Sequence, residues 1–267
     1  MNQRGASPPG PTQAYVWDGV LLFAPGHIVN TRHAHFAATL LISVDAPFAL
    51  TLDNAGRRHY EAALLAPNVQ RELDSEGYRL VDLLIDPDDP AYRHLHPLLT
   101  AQPVVPLPGS VFAAQRPRFA QLFAGRLNCA AARRLVDELL QALCPQPLPA
   151  LPWDARVQQA TRYMRARIPE ALPSIPEVAA QVGLSESRFM HLFRAQLGLP
   201  VRQYLLWLRI RHAMRLWAQG RPLAEIALGA GFYDQAHLAR TVRRMTDYAP
   251  SMLTDPGILR HDCTGCG

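Results

Sequence analysis

The chain has 267 residues, of which 49% are hydrophobic and 18% are charged, and its formal net charge is +5 at pH 7. This composition excludes an intrinsically disordered chain, and the length allows two modest hydrophobic cores. The first residues lack the apolar core of a secretion signal, and no apolar run is long enough to cross a membrane. The four cysteines show no disulfide-like spacing. We therefore expect a cytoplasmic protein with no membrane partner.

Short segments of alternating polarity fill the first third of the chain, and turn residues separate them. They predict strands at Tyr15–Phe23, Thr39–Val44, Phe48–Leu52, His59–Leu65 and Tyr78–Ile85. Several short strands at this spacing favour a small β-barrel or jelly roll. Helices are predicted after Pro90, at 117–122 and 130–143. The apolar edge of the second one favours a dimer helix over a helix that only covers the barrel.

A proline-rich stretch at 145–152 predicts an extended linker between two domains. The charge changes at this boundary. Residues 1–150 carry 12 Arg and 13 acidic residues, whereas residues 151–267 carry 15 Arg and 9 acidic residues. The basic excess lies in the second domain, as expected if that domain binds a polyanion.

A helix-turn-helix pattern occurs twice in the last hundred residues. Ala179 and Gly183 in the first copy precede Ala227 and Gly231 in the second copy by 48 positions. A small alanine lets two helices cross closely, and a glycine can adopt the positive φ that a tight turn needs. Two copies of this unit predict a protein that reads two adjacent groove segments of DNA.

The second helix of each copy has one apolar face and one polar face. Ser185 and Asp234 stand where N-cap residues are expected. The inward-facing apolar residues are spaced four apart: Phe189, Phe193, Leu238 and Val242. The opposite faces are polar and basic, as a helix that reads DNA requires.

The region between the copies, 200–219, predicts one long connector helix that begins at Pro200 and stops before Gly220. A helix of about 20 residues is about 30 Å long. One turn of DNA is roughly 34 Å. The connector is therefore long enough to hold two recognition helices in successive major grooves.

The stretch from about Trp153 to Leu253 resembles the DNA-binding domain of AraC/XylS-type bacterial transcription regulators. The resemblance rests on Ala-x-x-x-Gly-Leu-Ser followed by Phe-x-x-x-Phe, on Gln-Tyr-Leu-x-x-x-Arg-Ile-x-x-Ala-x-x-Leu, and on Glu-Ile-Ala followed by Gly-Phe-x-Asp-Gln. It implies base contacts at Ser187, Met190, His191, Gln235, Ala236, His237 and Arg240. Phosphate contacts are predicted at Arg188, Arg194, Arg209 and Arg243. The implied partner is double-stranded DNA, with RNA polymerase as a second partner if the protein is an activator.

The first domain resembles the cupin-like sensor domain of many AraC-type regulators. The resemblance rests on His33-Ala-His35 at the start of a strand and on Leu65-Ala-Pro67 at the close of a later one. Metal cupins place a Glu after the His-x-His, which is absent here, and Arg71 stands near the position of a further His. Two histidines alone rarely make a tight metal site. We expect an apolar or anion-accepting ligand pocket with Arg71 at its rim, or ordinary strand histidines, rather than metal catalysis.

The chain ends in a Cys-x-x-Cys pair. Cys263 and Cys266, with His261 nearby, are candidates for a soft-metal site or a redox pair, and Cys129 or Cys144 could supply a third ligand. A glycine-rich terminal segment is more often flexible, which is the competing interpretation.

Together these patterns predict an α+β chain of two domains. A cupin-like β-barrel with trailing helices covers 1–144, and the linker follows at 145–152. An all-α domain with two helix-turn-helix motifs covers 153–254, and a flexible tail covers 255–267. The predicted function is a sequence-specific transcription regulator that responds to a small-molecule effector, with a homodimer as its candidate assembly and with neither enzymatic activity nor a cofactor. The alternatives are a metal- or thiol-responsive regulator acting through Cys263 and Cys266 and, less favoured, a cupin enzyme fused to a DNA-binding domain.

Overall fold

A computed structural model describes residues 11–53, 55–144, 152–168, 172–246 and 250–265. These residues form eleven β-strands, nine α-helices and two 3₁₀ helices. The α+β, two-domain fold class predicted from the sequence is confirmed. Among the described helices, none has both the length and the hydropathy needed to cross a bilayer.

The N-terminal part is rich in β-structure. Its strands are β1 (Thr12–Val16), β2 (Val20–Ala24), β3 (Val29–His33), β4 (Ala38–Ser43), β5 (Phe48–Leu52), β6 (Gly56–Tyr60), β7 (Ala62–Leu65), β8 (Arg71–Asp74), β9 (Leu80–Ile85) and β10 (Val104–Leu107). Its helices are α1 (Pro90–Ala101), α2 (Arg116–Phe123) and α3 (Cys129–Leu143), and a 3₁₀ helix covers Gly109–Gln115.

Two sheets form this part of the molecule. The larger has the strand order β10-β7-β4-β9-β2-β1-β11, where β11 (Ile258–Asp262) comes from the end of the chain, and the smaller has the order β3-β8-β5-β6. Neighbouring strands are antiparallel, except that β11 runs parallel to β1. The smaller sheet packs on the part of the larger one that contains Leu41 and Leu65.

The larger sheet is buried on both faces, which explains why its central strands are almost entirely apolar. One face, represented by Leu22, Leu40 and Leu83, packs against α1, α2 and α3. The other face is shared between the smaller sheet and the C-terminal helices.

Two of the predicted strands are each a pair of strands. Tyr15–Phe23 is interrupted by a turn at Gly19, whose φ is +85°. The positive φ favours glycine here, and a Cβ at Gly19 would also lie 2.3 Å from Oδ2 of Asp89, so a larger residue would have to displace that carboxylate. His59–Leu65 is divided between β6 and β7.

The apolar edge of the predicted helix at 130–143 is used within the chain. Leu135, Val136 and Leu139 on α3 are fully buried against the larger sheet. This part of the edge covers the sheet, which was the less favoured alternative, whereas Leu140 and Leu143 are half-buried. The role of α3 in a dimer stays a prediction.

The C-terminal part is a set of helices: α4 (Ala155–Arg167), α5 (Ile175–Gln181), α6 (Glu186–Leu197), α7 (Val201–Ala218), α8 (Leu223–Gly229) and α9 (Gln235–Thr246). The connector predicted at 200–219 is α7. Most of the predicted linker, 145–151, lies outside the described residues, so its extended form stays a prediction.

The segment after the helices is not a flexible tail over the residues described. A 3₁₀ helix at Pro250–Thr254 leads into β11, which pairs with β1 at the edge of the larger sheet. The prediction was wrong because the partner strand of β11 lies near the start of the chain.

Candidate nucleic-acid interface

Both helix-turn-helix units have the frame that the sequence predicted. Gly183 and Gly231, in the turns, have φ values of 66° and 73°. Ala179 and Ala227 are buried where the two helices of each unit cross. Each turn thus combines the glycine and the small residue that a close helix crossing needs.

The two N-caps are not equivalent. Oδ1 of Asp234 accepts a hydrogen bond of 2.6 Å from the backbone N–H of His237. Ser185 occupies the N-cap of α6 with extended backbone angles, but its side chain makes no capping hydrogen bond. The predicted cap is therefore formed at Asp234 and absent at Ser185.

The second helix of each unit, α6 or α9, presents a polar face to solvent while its apolar residues are buried. Six of the seven residues predicted to contact bases are exposed: Ser187, Met190, His191, Gln235, Ala236 and Arg240. His237 is half-buried, and its ring packs edge-on against Phe232 at 5.3 Å. His237 thus supports the turn of the second unit.

Three of the four predicted phosphate contacts, Arg188, Arg194 and Arg243, are exposed on α6 and α9. Arg209 is different. Its guanidinium lies 4.2 Å from the centre of the Phe232 ring and donates hydrogen bonds to the carbonyls of Ala230 and Gly231. Burial lowers its pKa. Arg209 therefore stabilises the turn of the second unit, and its phosphate contact stays a prediction.

Two aspartates that follow β9 connect the N-terminal part to the helices. Asp86, fully buried, accepts a hydrogen bond of 2.8 Å from Nε1 of Trp207 and lies 3.1 Å from a guanidinium nitrogen of Arg165. Asp88 pairs with the same Arg165 and accepts a hydrogen bond of 2.7 Å from the Tyr204 hydroxyl. One acidic segment thus holds both α4 and α7.

Arg211 completes this junction from α7. Its side chain is only 7% exposed, and one guanidinium nitrogen donates to the carbonyls of Trp17 and Val20 at 2.6 and 2.9 Å. Its Nε lies 3.3 Å from Oδ1 of Asp86. Although Arg211 lies on a helix rich in arginine, it faces the N-terminal sheet.

The residues of the predicted ligand pocket do lie together. The Arg71 guanidinium donates a hydrogen bond of 2.7 Å to Nδ1 of His35 and one of 3.2 Å to the Thr39 hydroxyl. The His33 and His35 rings are 5.0 Å apart. Burial, followed by the charges of Arg71 and His33, lowers the pKa of His35, so its ring is neutral and accepts from Arg71. Arg71 is only 2% exposed, so its predicted place at a rim was wrong.

Asp82 on β9 is the second unusual group in this region. It is almost fully buried, and no described residue donates a hydrogen bond to its Oδ1. Burial raises its pKa to about 7, against the opposing charge of Arg71. It lines a small apolar cavity of about 30 Å³ between the sheet residue Phe23 and the helix residues Trp207 and Trp217.

A larger cleft of about 490 Å³ lies at the same junction. Trp17 and Asp88 line it from the N-terminal part, and Arg165, Arg211 and Arg215 line it from the helices. A molecule in this cleft would contact both parts of the protein.

Residues 178–255 match a protein-family model described as a helix-turn-helix domain. The chain is 33% identical over 151 residues to the arabinose operon regulatory protein of Salmonella typhimurium, an alignment that covers 52% of this chain and 53% of the relative. It is 32% identical over 150 residues to the Escherichia coli protein of the same name, covering 52% of this chain and 51% of that one. The C-terminal domain is an AraC-type helix-turn-helix domain. The chain is homologous to these regulators and spans about half of their length.

The two-domain arrangement also has counterparts among solved structures. A structure of an apo ToxT variant from Vibrio cholerae superposes with a TM-score of 0.61, covers 88% of this chain and 97% of ToxT, and shares 11% identity. A second ToxT structure superposes with a TM-score of 0.56 at 12% identity and covers 88% of this chain and 96% of that one. These similarities show that the β-rich part and the AraC-type domain form the fold seen in ToxT.

The predicted metal or thiol site beyond the AraC-type domain has a different arrangement. Cys263 forms a disulfide bond with Cys129, and the His261 ring stacks on Tyr15 at 4.2 Å. Cys266 lies outside the described residues. Within the described ranges, no three His, Cys, Asp or Glu side chains are grouped to hold a metal ion. The prediction of no disulfide was wrong, and the soft-metal site that used Cys263 loses its thiolate.

Sequence reasoning did not find the junction between the β-rich part and the AraC-type domain. The Asp86–Arg165 and Asp86–Trp207 contacts join residues 79 and 121 positions apart. The only local signal was an acidic run, Asp86-Pro-Asp-Asp89, directly after an apolar strand. That run indicates charge at the end of a strand but does not indicate which arginine neutralises it.

Proposed function

We propose that this protein is a sequence-specific DNA-binding transcription regulator that acts in the cytoplasm and responds to a small molecule. The observation that carries the proposal is the pair of exposed polar recognition helices, α6 and α9, within an AraC-type domain. Because its homologues are transcription regulators, we infer a regulator rather than an enzyme. A dimer, and a contact with RNA polymerase if the protein activates transcription, remain predictions.

The side chains on the two recognition helices differ in what they can read. Arg240 is suited to a bidentate contact with guanine and Gln235 to one with adenine, whereas Met190 can contact only a thymine methyl group. Ser187, Met190 and His191 of the first unit correspond to Ala236, Ala239 and Arg240 of the second. Each subunit should therefore read two unlike major-groove boxes about one helical turn apart.

The small-molecule input is supported by the junction. The cleft of about 490 Å³ is within the size range of ligand sites and is lined from both domains. One ToxT structure contains a bound unsaturated fatty acid, at 10% identity and a TM-score of 0.56. A ligand in this cleft would contact Arg165 and Arg211, which line it, and would thereby change how the DNA-binding domain is held against the β-rich domain.

DNA selection from a random duplex pool with the full-length chain would test the proposal. Enrichment of two unlike boxes about one turn apart supports it. On the selected duplex, Arg240→Ala should cost about 1–3 kcal/mol and relax the preference at one base pair. Arg194→Ala should weaken binding to every sequence and lower the salt slope by about 1.

Arg58→Ala is the matched control, since Arg58 is an exposed arginine on β6, outside the AraC-type domain. It should leave both the preference and the salt slope unchanged. If Arg240→Ala and Arg194→Ala lose affinity equally on selected and random duplexes, the assignment of base-reading and phosphate roles is wrong. If the pool shows no enrichment, the proposed function itself fails.

A further inference from the structure

The AraC-type domain is attached to the N-terminal domain beyond its own last helix. Strand β11 pairs in parallel with β1, from Thr12 opposite Ile258 to Val16 opposite Asp262. The backbone N–H of Cys263 then donates a hydrogen bond of 2.9 Å to the carbonyl of Val16. A five-residue strand at the edge of a sheet therefore anchors the end of the DNA-binding domain.

A disulfide bond closes this attachment. Cys129, the first residue of α3, is bonded to Cys263, which follows β11, across a sequence separation of 134 residues. The segment between the two cysteines contains all of α4 to α9. The bond therefore joins the N-terminal domain to the segment that leaves the AraC-type domain.

The anchored strand also touches the connector helix. Nε2 of Gln219, at the C-cap of α7, donates a hydrogen bond of 2.9 Å to Oδ2 of Asp262. The Arg260 guanidinium lies 5.5 Å from the centre of the Trp217 ring. When β11 is held in the sheet, the end of α7 is held with it.

We propose that Cys129 and Cys263 form a redox-controlled latch that fastens the DNA-binding domain to the N-terminal domain. Of the two bonded cysteines, Cys129 is the one a reductant can reach, because it is half-buried whereas Cys263 is only 1% exposed. A thiolate of a cellular dithiol reductant attacks Sγ of Cys129, the S–S bond breaks, and Cys263 leaves as a thiolate that takes up a proton. The second thiol of the reductant then attacks the reductant sulfur of this mixed disulfide and releases Cys129 as a thiol. The reductant is thereby oxidised to its own disulfide, and its two electrons reduce the Cys129–Cys263 bond.

The interpretation as a latch rather than a permanent staple rests on the proposed function. A protein that regulates genes works in a compartment where glutathione and thioredoxin keep thiols reduced, so a disulfide there is usually transient or redox-sensing. With the bond open, β11 is an edge strand held only by its backbone hydrogen bonds to β1 and by side-chain contacts, and structure at the end of a chain opens more readily than a core strand.

Opening the latch changes how the two helix-turn-helix units are held. In the closed form, Asp86 and Asp88 hold α4 and α7, and Nδ2 of Asn30 on β3 donates a hydrogen bond of 2.6 Å to the Thr246 carbonyl at the end of α9. The helices that flank the first unit and the last helix of the second unit are therefore fixed to the β-rich domain. The anchored strand β11 is a further restraint, and its release lets the reduced form adjust to two successive grooves more easily and bind DNA more tightly.

Hydrogen exchange of the full-length chain tests the latch without DNA. Peptide mapping after mild oxidation should find Cys129 linked to Cys263, and a dithiol should remove the link. Residues 258–262 and 12–16 should then lose protection, whereas the core of the first helix-turn-helix unit should not. The oxidised Cys129→Ser variant should match the reduced wild type.

Two further cysteine variants control this experiment. Cys144→Ser, at the half-buried free cysteine, should behave as the wild type in both redox states. Cys266→Ser removes the neighbouring thiol and should leave the Cys129–Cys263 link in place. A Cys263–Cys266 link in its stead, or identical protection of 258–262 before and after reduction, would overturn the latch.

The DNA readout uses the duplex selected from the random pool. The reduced wild type should bind it about fivefold or more tightly than the oxidised wild type. The oxidised and reduced Cys129→Ser variants should bind equally. Equal affinity of oxidised and reduced wild type overturns the effect on DNA binding. If no duplex is selected, the proposed function fails while hydrogen exchange still decides whether the latch opens.

Discussion

The two helix-turn-helix units have the same sequence pattern but different surroundings. The first unit packs largely on itself, with Phe189, Phe193 and Tyr204 in a core formed by α4 to α7. The second unit packs on another domain. Its core residues Leu238 and Val242 belong to a cluster that also contains residues of β1, β2 and β9.

The units also differ in how the N-terminal domain holds them. Buried carboxylates contact the two helices that flank the first unit, α4 through Arg165 and the connector helix α7 through Tyr204. The second unit is held mainly by apolar packing against Leu21, Phe23 and Leu84. The duplication therefore specifies two similar frames. Their contacts with the β-rich domain differ, because those beside the first unit are charged and those of the second unit are mainly apolar.

Removal of Asp86 should have the largest effect on this arrangement. Asp86→Ala leaves the guanidinium of Arg211 and the indole N–H of Trp207 buried without their carboxylate. Removing one partner of a buried ion pair costs about 3–5 kcal/mol of unfolding free energy, which denaturant unfolding would measure. Asp45→Ala is the control, because its pair with Arg79 is partly exposed and should contribute no more than about 1 kcal/mol. Equal losses in the two variants would show that the junction does not depend on the buried carboxylate.

The apolar link to the second unit should depend on pH through Asp82. Its pKa is raised to about 7 in the folded chain against an ordinary value of 3.8, so the folded state binds this proton more tightly than the unfolded state. The contribution of Asp82 to stability therefore falls as the pH rises from about 4 to about 7. Asp82→Asn cannot ionise, and its stability relative to the wild type should increase over this range by as much as about 4 kcal/mol.

Asp45→Asn provides a control of opposite sign for this experiment. The side-chain hydrogen bond from Arg79 is the main cause that lowers the pKa of Asp45, so its contribution to stability is lost as the pH falls. Thermal unfolding across the pH range would compare the three proteins. A stability difference between wild type and Asp82→Asn that stays constant from about pH 4 to about pH 8 would contradict the raised pKa.

Two matched valines, one in each unit, test the difference between the two units most directly. Their substitution has the smallest expected effect on the free energy of unfolding. Val178 in the first unit and Val242 in the second are both buried. Substitution of either with alanine should cost about 2 kcal/mol. Hydrogen exchange should show that Val178→Ala loosens only the first unit, whereas Val242→Ala also loosens β1 and β2. Confinement of both effects to the helices would mean that the second unit has a core of its own.

Local patterns predicted the frame of the nucleic-acid interface well. Gly183 and Gly231 adopt the expected positive φ, and the apolar residues of α6 and α9 face inward, because both features depend on residues within one or two helical turns. The same patterns did not indicate that Arg209 packs on Phe232 or that Arg211 faces the N-terminal sheet. Helical periodicity assigns a residue to a face of the helix, but it does not show what covers that face.

The sequence by itself determined two helix-turn-helix frames, a connector of the right length and a β-rich first domain, since these follow from turn chemistry and short-range periodicity. Only the tertiary structure decided that β11 joins the first domain, that Asp86 meets Arg165 and Arg211, and that Cys129 meets Cys263. These contacts join residues that lie between 79 positions apart, for Asp86 and Arg165, and 246 positions apart, for Thr12 and Ile258. Separations of this kind leave no periodic signal in the chain, because the pairing is selected by the burial and charge of the complete fold.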